Sequence, residues 1–379
     1  MSVLILSANT GQGHNSCARA LQGIYAARGI PCEIRDTLAY LSPEVSKLVS
    51  EGHVLMYRKM PRLLSASYHS AERHPKAYTE RSPLYKFLAS GVKKLLPDVQ
   101  AGGFDTIICV HVFASLMVTE LRRRYPVPLR TAFLATDYTC SPTCANSRLD
   151  RYFVPPGLTE EFVRAGLPQD RILETGIPIR RDFHEPTDPA AAKAAFGVDP
   201  VHRHLLVMCG SMGCGPMEDL VQDIGQKLPE NCELTVVCGT NHSLYRRLTQ
   251  EYGDQRRIHV QAYVENMSEL MDSADLYLTK PGGISVTEAT RKRLPMVLVN
   301  AVAGCEDDNL RYFTALGAAV TADTPEELSA LCLSLLADPQ ALSAMAARYA
   351  PIARPHAGEA ICDALAALSP SPELWEQTV

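Results

Sequence analysis

The chain has 379 residues, 46% hydrophobic and 21% charged. That balance excludes a wholly disordered polypeptide, and the length provides for about two domains, each with its own core. A net charge of −5 excludes a general nucleic-acid binder, and no apolar run reaches the roughly 18 residues that span a bilayer.

The N-terminus is apolar but lacks a basic segment and a cleavage site, so it reads as a first strand and not as a signal peptide. Residues 3–8 form that strand, and the glycine-containing loop Asn9–His14 follows. Ala18, Leu21, Ile24 and Tyr25 then recur at helical spacing between Ser16 and Arg28. Further short apolar runs stand at Cys32–Arg35, Thr106–Val110, Thr131–Thr136 and Tyr152–Val154. Unbroken apolar runs, without alternation, indicate strands buried on both faces of a parallel sheet. The stretch from Thr175 to Arg203, with Gly176, Pro178, Pro186, Pro189 and Pro200, reads as a boundary. The pattern then restarts with Leu205–Cys209, Leu234–Cys238, Ile258–Ala262, Leu276–Thr279 and Met296–Val299. The expected class is α/β, with two doubly wound domains at residues 1–177 and 178–354 facing across a cleft. The tail 355–379, which holds the only tryptophan, Trp375, is expected to pack back on the first domain.

Twelve cysteines include the pairs Cys140-x3-Cys144 and Cys209-x4-Cys214, neither at a zinc-binding spacing. Others sit inside apolar runs as small hydrophobes. No metal site and a reduced, cytoplasmic protein are expected.

Three loops carry chemistry. Asn9-Thr10-Gly11-Gln12-Gly13-His14 opens a helix after the first strand. Glycines let backbone approach a ligand, and a helix N-terminus favours an anion. A third glycine and an acidic residue about 20 positions on are missing, so this is not a dinucleotide fingerprint. His14 suits a general base near neutral pH, or is satisfied by backbone at a helix start. The second loop is Lys280-Pro281-Gly282-Gly283-Ile284-Ser285, ahead of a helix expected to start near Ser285. Ser285-x-x-Glu288 reads equally as a capping box or as a carboxylate for a ribose diol. The third, Gly304-Cys305-Glu306-Asp307-Asp308-Asn309, is polar and acidic, suited to sugar hydroxyls or to a solvated cap. A fourth glycine turn is Gly210-Ser211-Met212-Gly213.

Taken together these loops resemble glycosyltransferase family 28, in its diacylglycerol glycosyltransferase branch. Leu6–His14, Thr136-Asp137-Tyr138, Thr175–Phe183, Cys209–Gly213, Tyr263–Met267 and Asp275–Glu288 carry the resemblance, which covers nearly the whole chain. It implies the GT-B fold, two Rossmann-like domains. By that resemblance backbone at Tyr263, Val264 and Met267 holds uracil, and Ser211, Gly213, Gly282, Gly283 and Ser285 hold the diphosphate. Glu288 takes the ribose, Glu306 and Asn309 face the sugar, and Gly13, Lys280 and Cys305 complete the donor set. Cys305 stands where relatives carry Gln. His14 acts at the acceptor hydroxyl, with Asp137 and His111 orienting it or sharing the role.

The activity implied is inverting transfer of a hexose from a UDP-sugar to diacylglycerol or a related lipid. No Asp-x-Asp motif occurs, so no metal or other cofactor is expected. Residues 44–98 hold ten Lys/Arg against five Asp/Glu, a basic island in an acidic chain. Leu84, Leu88, Val92 and Leu95, interspersed with Lys86, Lys93 and Lys94, read as an amphipathic helix. It lies on an anionic membrane surface or packs on the first domain. The expected place is the inner face of the cell membrane, as a peripheral protein, with oligomeric state left open. Competing readings are a peptidoglycan-type N-acetylglucosamine transferase acting on a polyprenyl-linked acceptor, a UDP-N-acetylglucosamine 2-epimerase, and a non-catalytic nucleotide-sugar sensor.

Overall fold

The computed structural model describes residues 1–8, 12–59, 79–213, 215–299 and 304–374. Trp375, Cys214, Asn9–Gly11 of the loop Asn9–His14 and the middle of the basic island lie outside the described residues. Two units separate: Met1–Arg180 with Ala303–Cys305 and Arg354–Val379, and Arg181–Val302 with Glu306–Ala353.

The first unit holds β1 (Val3–Ser7), β2 (Cys32–Asp36), β3 (Thr106–Cys109), β4 (Arg130–Leu134), β5 (Arg151–Phe153) and β6 (Ile172–Leu173). They form one sheet in the order β2-β1-β3-β4-β5-β6, parallel throughout. Val3 to Leu6 are fully buried, as an unbroken apolar run in an inner parallel strand requires. The chain leaves β1 for β2 on one side and returns to β3 on the other, so the carboxyl end of β1 is the switch point where such sheets bind ligands.

Helix α1 (Gln12–Ala27) begins four residues before the expected start at Ser16. Residues 12–15 carry no apolar periodicity. They still join the first turn, whose N–H groups have no intrahelical partner and where a poor helix former costs little. His14 is therefore helical, not part of a loop.

The basic island also departs from expectation. After α2 (Pro43–Lys59) the described chain resumes with α3 (Pro83–Ser90) and α4 (Val92–Ala101), separated at Gly91. Leu88, Val92 and Leu95 are buried, and Leu88 packs with Leu38, Tyr85, Ala89 and Leu116. Of the two readings of that row, membrane face or packing face, the second holds for most of it. On α3, what remains outside is Leu84 and Phe87, 36% and 48% exposed, beside the exposed Lys86.

Helix α5 (Val112–Arg124) delivers the buried Arg122, whose guanidinium donates to both Asp150 carboxylate oxygens at 2.9 and 3.0 Å. Its other amino group donates to the carbonyls of Ser371 and Glu373. Leu129 pairs with Ser371 in an antiparallel bridge. The C-terminal helix, residues Ala357–Ala366, packs on α1, with Arg28 paired to Asp363 at 2.6 Å.

The second unit holds β7 (Arg203–Met208), β8 (Cys232–Val237), β9 (Ile258–Gln261), β10 (Leu276–Thr279), β11 (Met296–Leu298) and β12 (Ala319–Thr321). The order is β12-β11-β10-β7-β8-β9, again parallel. His204 on β7 is fully buried, with Nε2 2.7 Å from Thr235 Oγ1 and Nδ1 3.0 Å from the Ser273 carbonyl. Burial lowers its pKa from 6.5 to about 4, against the opposing pull of the Ser273 carbonyl. The unfolded chain takes up this proton first as pH falls. Stability is therefore full above pH 6.5 and is lost as pH drops towards 4, by about 3 kcal/mol for this group. Urea unfolding at pH 7 and pH 4 should show that loss, and His204→Gln should flatten the slope. An unchanged slope in the variant would refute the assignment.

Candidate functional site

In the first unit His14, in the first turn of α1, meets two loops that follow strands. Its Nδ1 is 3.1 Å from Thr136 Oγ1, just beyond β4. Thr136 in turn donates to Asp137 Oδ2 at 3.3 Å. The His111 ring stands edge-on to His14 at 4.9 Å between centroids. His111 is the N-cap of α5: its Nδ1 accepts from the Phe113 N–H at 3.1 Å, which leaves Nε2 as the N–H in the neutral ring. Burial pulls the His14 pKa below 6.5, opposed by the Asp137 charge and the Val110 carbonyl. The result is a neutral imidazole near pH 7, the form a base needs. Gly13 precedes His14 in the same turn.

Beside this cluster, a polar cavity of about 370 Å³ is lined by Ser7, Asn15, Arg19, Gln22, Arg35 and Asp36. Asp36 ends β2 opposite Ser7, where a dinucleotide fold keeps its ribose-binding acid. Its carboxylate instead accepts from the Leu38 N–H and the Ser46 hydroxyl.

In the second unit the donor-type residues gather at the carboxyl ends of β7, β10 and β11. Gly210 and Gly213 adopt φ +70° and +54°, a region glycine enters at little cost. A Cβ on Gly213 would lie 2.3 Å from the Cys238 carbonyl oxygen, so that turn is held against backbone. Ser211 accepts through its carbonyl from the Thr240 N–H at 2.8 Å. After α6 (Thr159–Arg164), α7 (Pro189–Ala195), α8 (Met217–Lys227), α9 (His242–Tyr252) and α10 (Met267–Asp272), helix α11 (Gly283–Lys292) starts two residues before the expected Ser285. Its N-cap is Gly282, with no side-chain cap, so the capping-box reading of Ser285 and Glu288 fails: both lie inside the helix. Glu288 is 7% exposed, a buried carboxylate one turn below the free amides.

Lys280 follows β10 and its Nζ donates to Glu306 Oε1 at 2.6 Å. Helix α12 (Cys305–Leu316) contains Cys305, Glu306 and Asn309, which the sequence placed in a loop. Asn309 is fully buried and its Nδ2 donates to the Pro281 carbonyl at 2.8 Å, bracing the glycine turn. Tyr263 is 64% exposed after β9, Val264 is half-buried, and Met267 opens a short helix, Met267–Asp272. Sequence reasoning missed Thr136 as a partner of His14 and the Lys280–Glu306 pair. The first sat inside the quoted Thr136-Asp137 motif, while the second has no local signal.

Two parallel doubly wound units with glycine turns beyond their strands make up a two-domain α/β protein of the GT-B fold. Solved structures agree on the fold. Acinetobacter baumannii MurG superposes with a TM-score of 0.66 at 14% identity, covering 97% of this chain and 100% of that one. Neisseria meningitidis UDP-GlcNAc 2-epimerase gives 0.63 at 12%, with the same coverages. Residues 14–179 match the monogalactosyldiacylglycerol (MGDG) synthase family model, and residues 204–357 match the glycosyltransferase family 28 C-terminal domain. A processive diacylglycerol beta-glucosyltransferase of Bacillus mycoides (strain KBAB4) is 30% identical over 96% of this chain and 93% of its own. One from Staphylococcus carnosus (strain TM300) is 28% identical, covering 91% and 87%. The chain belongs to the monogalactosyldiacylglycerol synthase and processive diacylglycerol glucosyltransferase family, and is a UDP-sugar-dependent hexosyltransferase. The epimerase likeness is one of fold.

Proposed function

We propose that the protein moves a hexose from a UDP-sugar to the hydroxyl of diacylglycerol or a related lipid, with inversion and without a metal, at the cytoplasmic face of the membrane. The observation that carries the reaction is His14: a half-buried imidazole whose pKa is pulled below 6.5 by desolvation, in the first turn of α1 after β1. The acceptor hydroxyl attacks the anomeric carbon and gives its proton to the His14 Nε2. The bond from that carbon to the β-phosphate oxygen breaks, and the electron pair leaves with UDP. A single displacement of this kind inverts the centre. The amides of α11, with no side-chain cap, and the Lys280 ammonium suit the charge that develops on the diphosphate. The buried Glu288 carboxylate suits the ribose diol, and backbone from Tyr263 to Met267 suits uracil.

The test is to incubate the protein with mixed micelles of diacylglycerol and, separately, UDP-glucose, UDP-galactose and UDP-N-acetylglucosamine. A hexosyl-diacylglycerol of β configuration, identified by mass spectrometry and NMR, is expected. Product only with a polyprenyl-linked acceptor, or only an epimerised UDP-sugar, would overturn the reading.

The membrane contact is assigned to Leu84 and Phe87 with Lys86, since Leu88, Val92 and Leu95 are packed inside. Burying one Phe in lipid is worth roughly 1.5–3 kcal/mol. Phe87→Ser should therefore weaken binding to anionic vesicles about tenfold or more, with transfer to a short-chain soluble diacylglycerol unchanged. Equal vesicle binding would remove α3 from the contact.

A further inference from the structure

We infer that Thr136 is a positioning residue that couples His14 to Asp137 through its hydroxyl and so selects the tautomer in which Nε2 of His14 is the base. The inference rests on the transferase reading above and adds a residue that neither the motifs nor the family match assigns.

The argument is one of donor counting. Thr136 is 7% exposed, and its Oγ1 lies 3.1 Å from His14 Nδ1 and 3.3 Å from Asp137 Oδ2. A hydroxyl has one proton, and a carboxylate can only accept. The proton therefore points to Asp137, and the oxygen lone pair is left facing Nδ1. Only a protonated Nδ1 satisfies that lone pair, so the neutral ring carries its hydrogen there and its lone pair on Nε2. A direct His–Asp pair reaches the same end with one link; here the hydroxyl makes two.

Of the groups around His14, His111 and Cys17 do not compete for this role. His111, at 4.9 Å, spends its Nδ1 on the Phe113 N–H and presents no base on that atom. Cys17, one turn further along α1, is buried, and burial with the nearby Asp137 charge pushes its thiol up, so it stays neutral. The Val110 carbonyl and Asp137 both favour the protonated ring. Asp137 is thus the full negative charge that offsets the imidazolium formed during transfer, and Thr136 is the bridge to it.

The experiment compares Thr136→Val, which is nearly isosteric, with Thr136→Ser, which restores the hydroxyl. Imidazole ¹⁵N shifts of His14 report the tautomer and its titration whether or not transfer is observed. In the wild type Nδ1 should carry the proton at pH 7. In Thr136→Val the population should move to Nε2–H, and titration should shift to lower pH as the link to Asp137 is lost. For transfer, kcat should fall about tenfold with both KM values within twofold, a cost in line with one lost hydrogen bond. Thr136→Ser should recover the tautomer and most of kcat. Asp137→Asn is a second probe. Its amide can donate to Oγ1, which turns the threonine proton onto Nδ1 and should give the wrong tautomer without removing any packed atom. A wild-type tautomer in both Thr136→Val and Asp137→Asn would overturn the inference, as would a Thr136→Ser variant as impaired as Thr136→Val. Glycolipid synthesis absent from the wild type would refute the transferase reading, while the NMR result would still decide the relay.

Discussion

Replacing His14 with alanine should lower kcat by about 10²–10⁴ and leave the affinity for UDP within a few-fold. The range is what a positioned general base contributes. His14 lies in the first unit, whereas the residues suited to UDP belong to β7, β10 and the α11 turn of the second. The pH profile supplies an independent check. Burial depresses the His14 pKa below 6.5, so the base is already deprotonated near pH 7. Activity should rise as pH climbs through the depressed value, with the acid limb of kcat/KM below pH 6.5. Asp137 opposes the depression. Asp137→Asn should therefore move that limb to still lower pH while reducing kcat. A His14→Ala enzyme retaining more than about a tenth of wild-type kcat would assign the proton transfer elsewhere.

The strands were legible where burial leaves no choice of residue. Val3–Ser7 and Leu276–Thr279 lie between two neighbours and under helices, so Val3–Leu6, Leu276 and Leu278 are apolar, and Ser7 and Thr279 are hydrogen-bonded inside. β6, Ile172–Leu173, and β12, Ala319–Thr321, escaped notice because they are two- and three-residue edge strands. Only pairing with β5 and β11 defines them. Helix starts were misjudged for a single physical reason. The first turn of α1, Gln12-Gly13-His14-Asn15, carries no apolar residue, and that of α11, Gly283-Ile284-Ser285-Val286, opens on glycine after an N-cap without a side-chain bond, so neither start shows a local signal. Those unassigned turns are where ligand chemistry was expected, so the boundary error and the site coincide.

The row from Leu84 to Leu95 stood open between two readings. Helical spacing of apolar residues is equally the signature of a membrane face and of a packing face. Sequence alone does not separate them, because both bury the same atoms. Tertiary structure decides: Gly91 breaks the row, a Cβ there would lie 2.6 Å from Met117 Cε, and three of the four residues turn inward. The polar pairs were invisible for a different reason. Lys280 and Glu306 are 26 positions apart, and nothing local in either segment marks the other.

That pair leads to the second large effect. Lys280 and Glu306 are 19% and 13% exposed, so water and salt screen their 2.6 Å contact far less than a surface bridge. The lysine stem runs over Gly210, where a Cβ would come 2.7 Å from Lys280 Cε, and so lies between the glycine turns suited to the diphosphate. The Glu306 carboxylate holds the ammonium that, on the proposed reading, engages a phosphate of the donor. Lys280→Met should weaken UDP binding about 10- to 100-fold, the range of a lost hydrogen bond to a charged group. Glu306→Gln should act differently. It removes the competitor for Lys280, so UDP should bind as well as or better than in the wild type. On the proposed reading the sugar also loses a carboxylate acceptor, so UDP-sugar should lose affinity relative to UDP, and kcat should fall. Calorimetry with UDP and with UDP-sugar on both variants separates these outcomes. If Glu306→Gln weakened UDP as much as Lys280→Met, the pair would be a brace for the turn and Glu306 would have no separate role at the sugar.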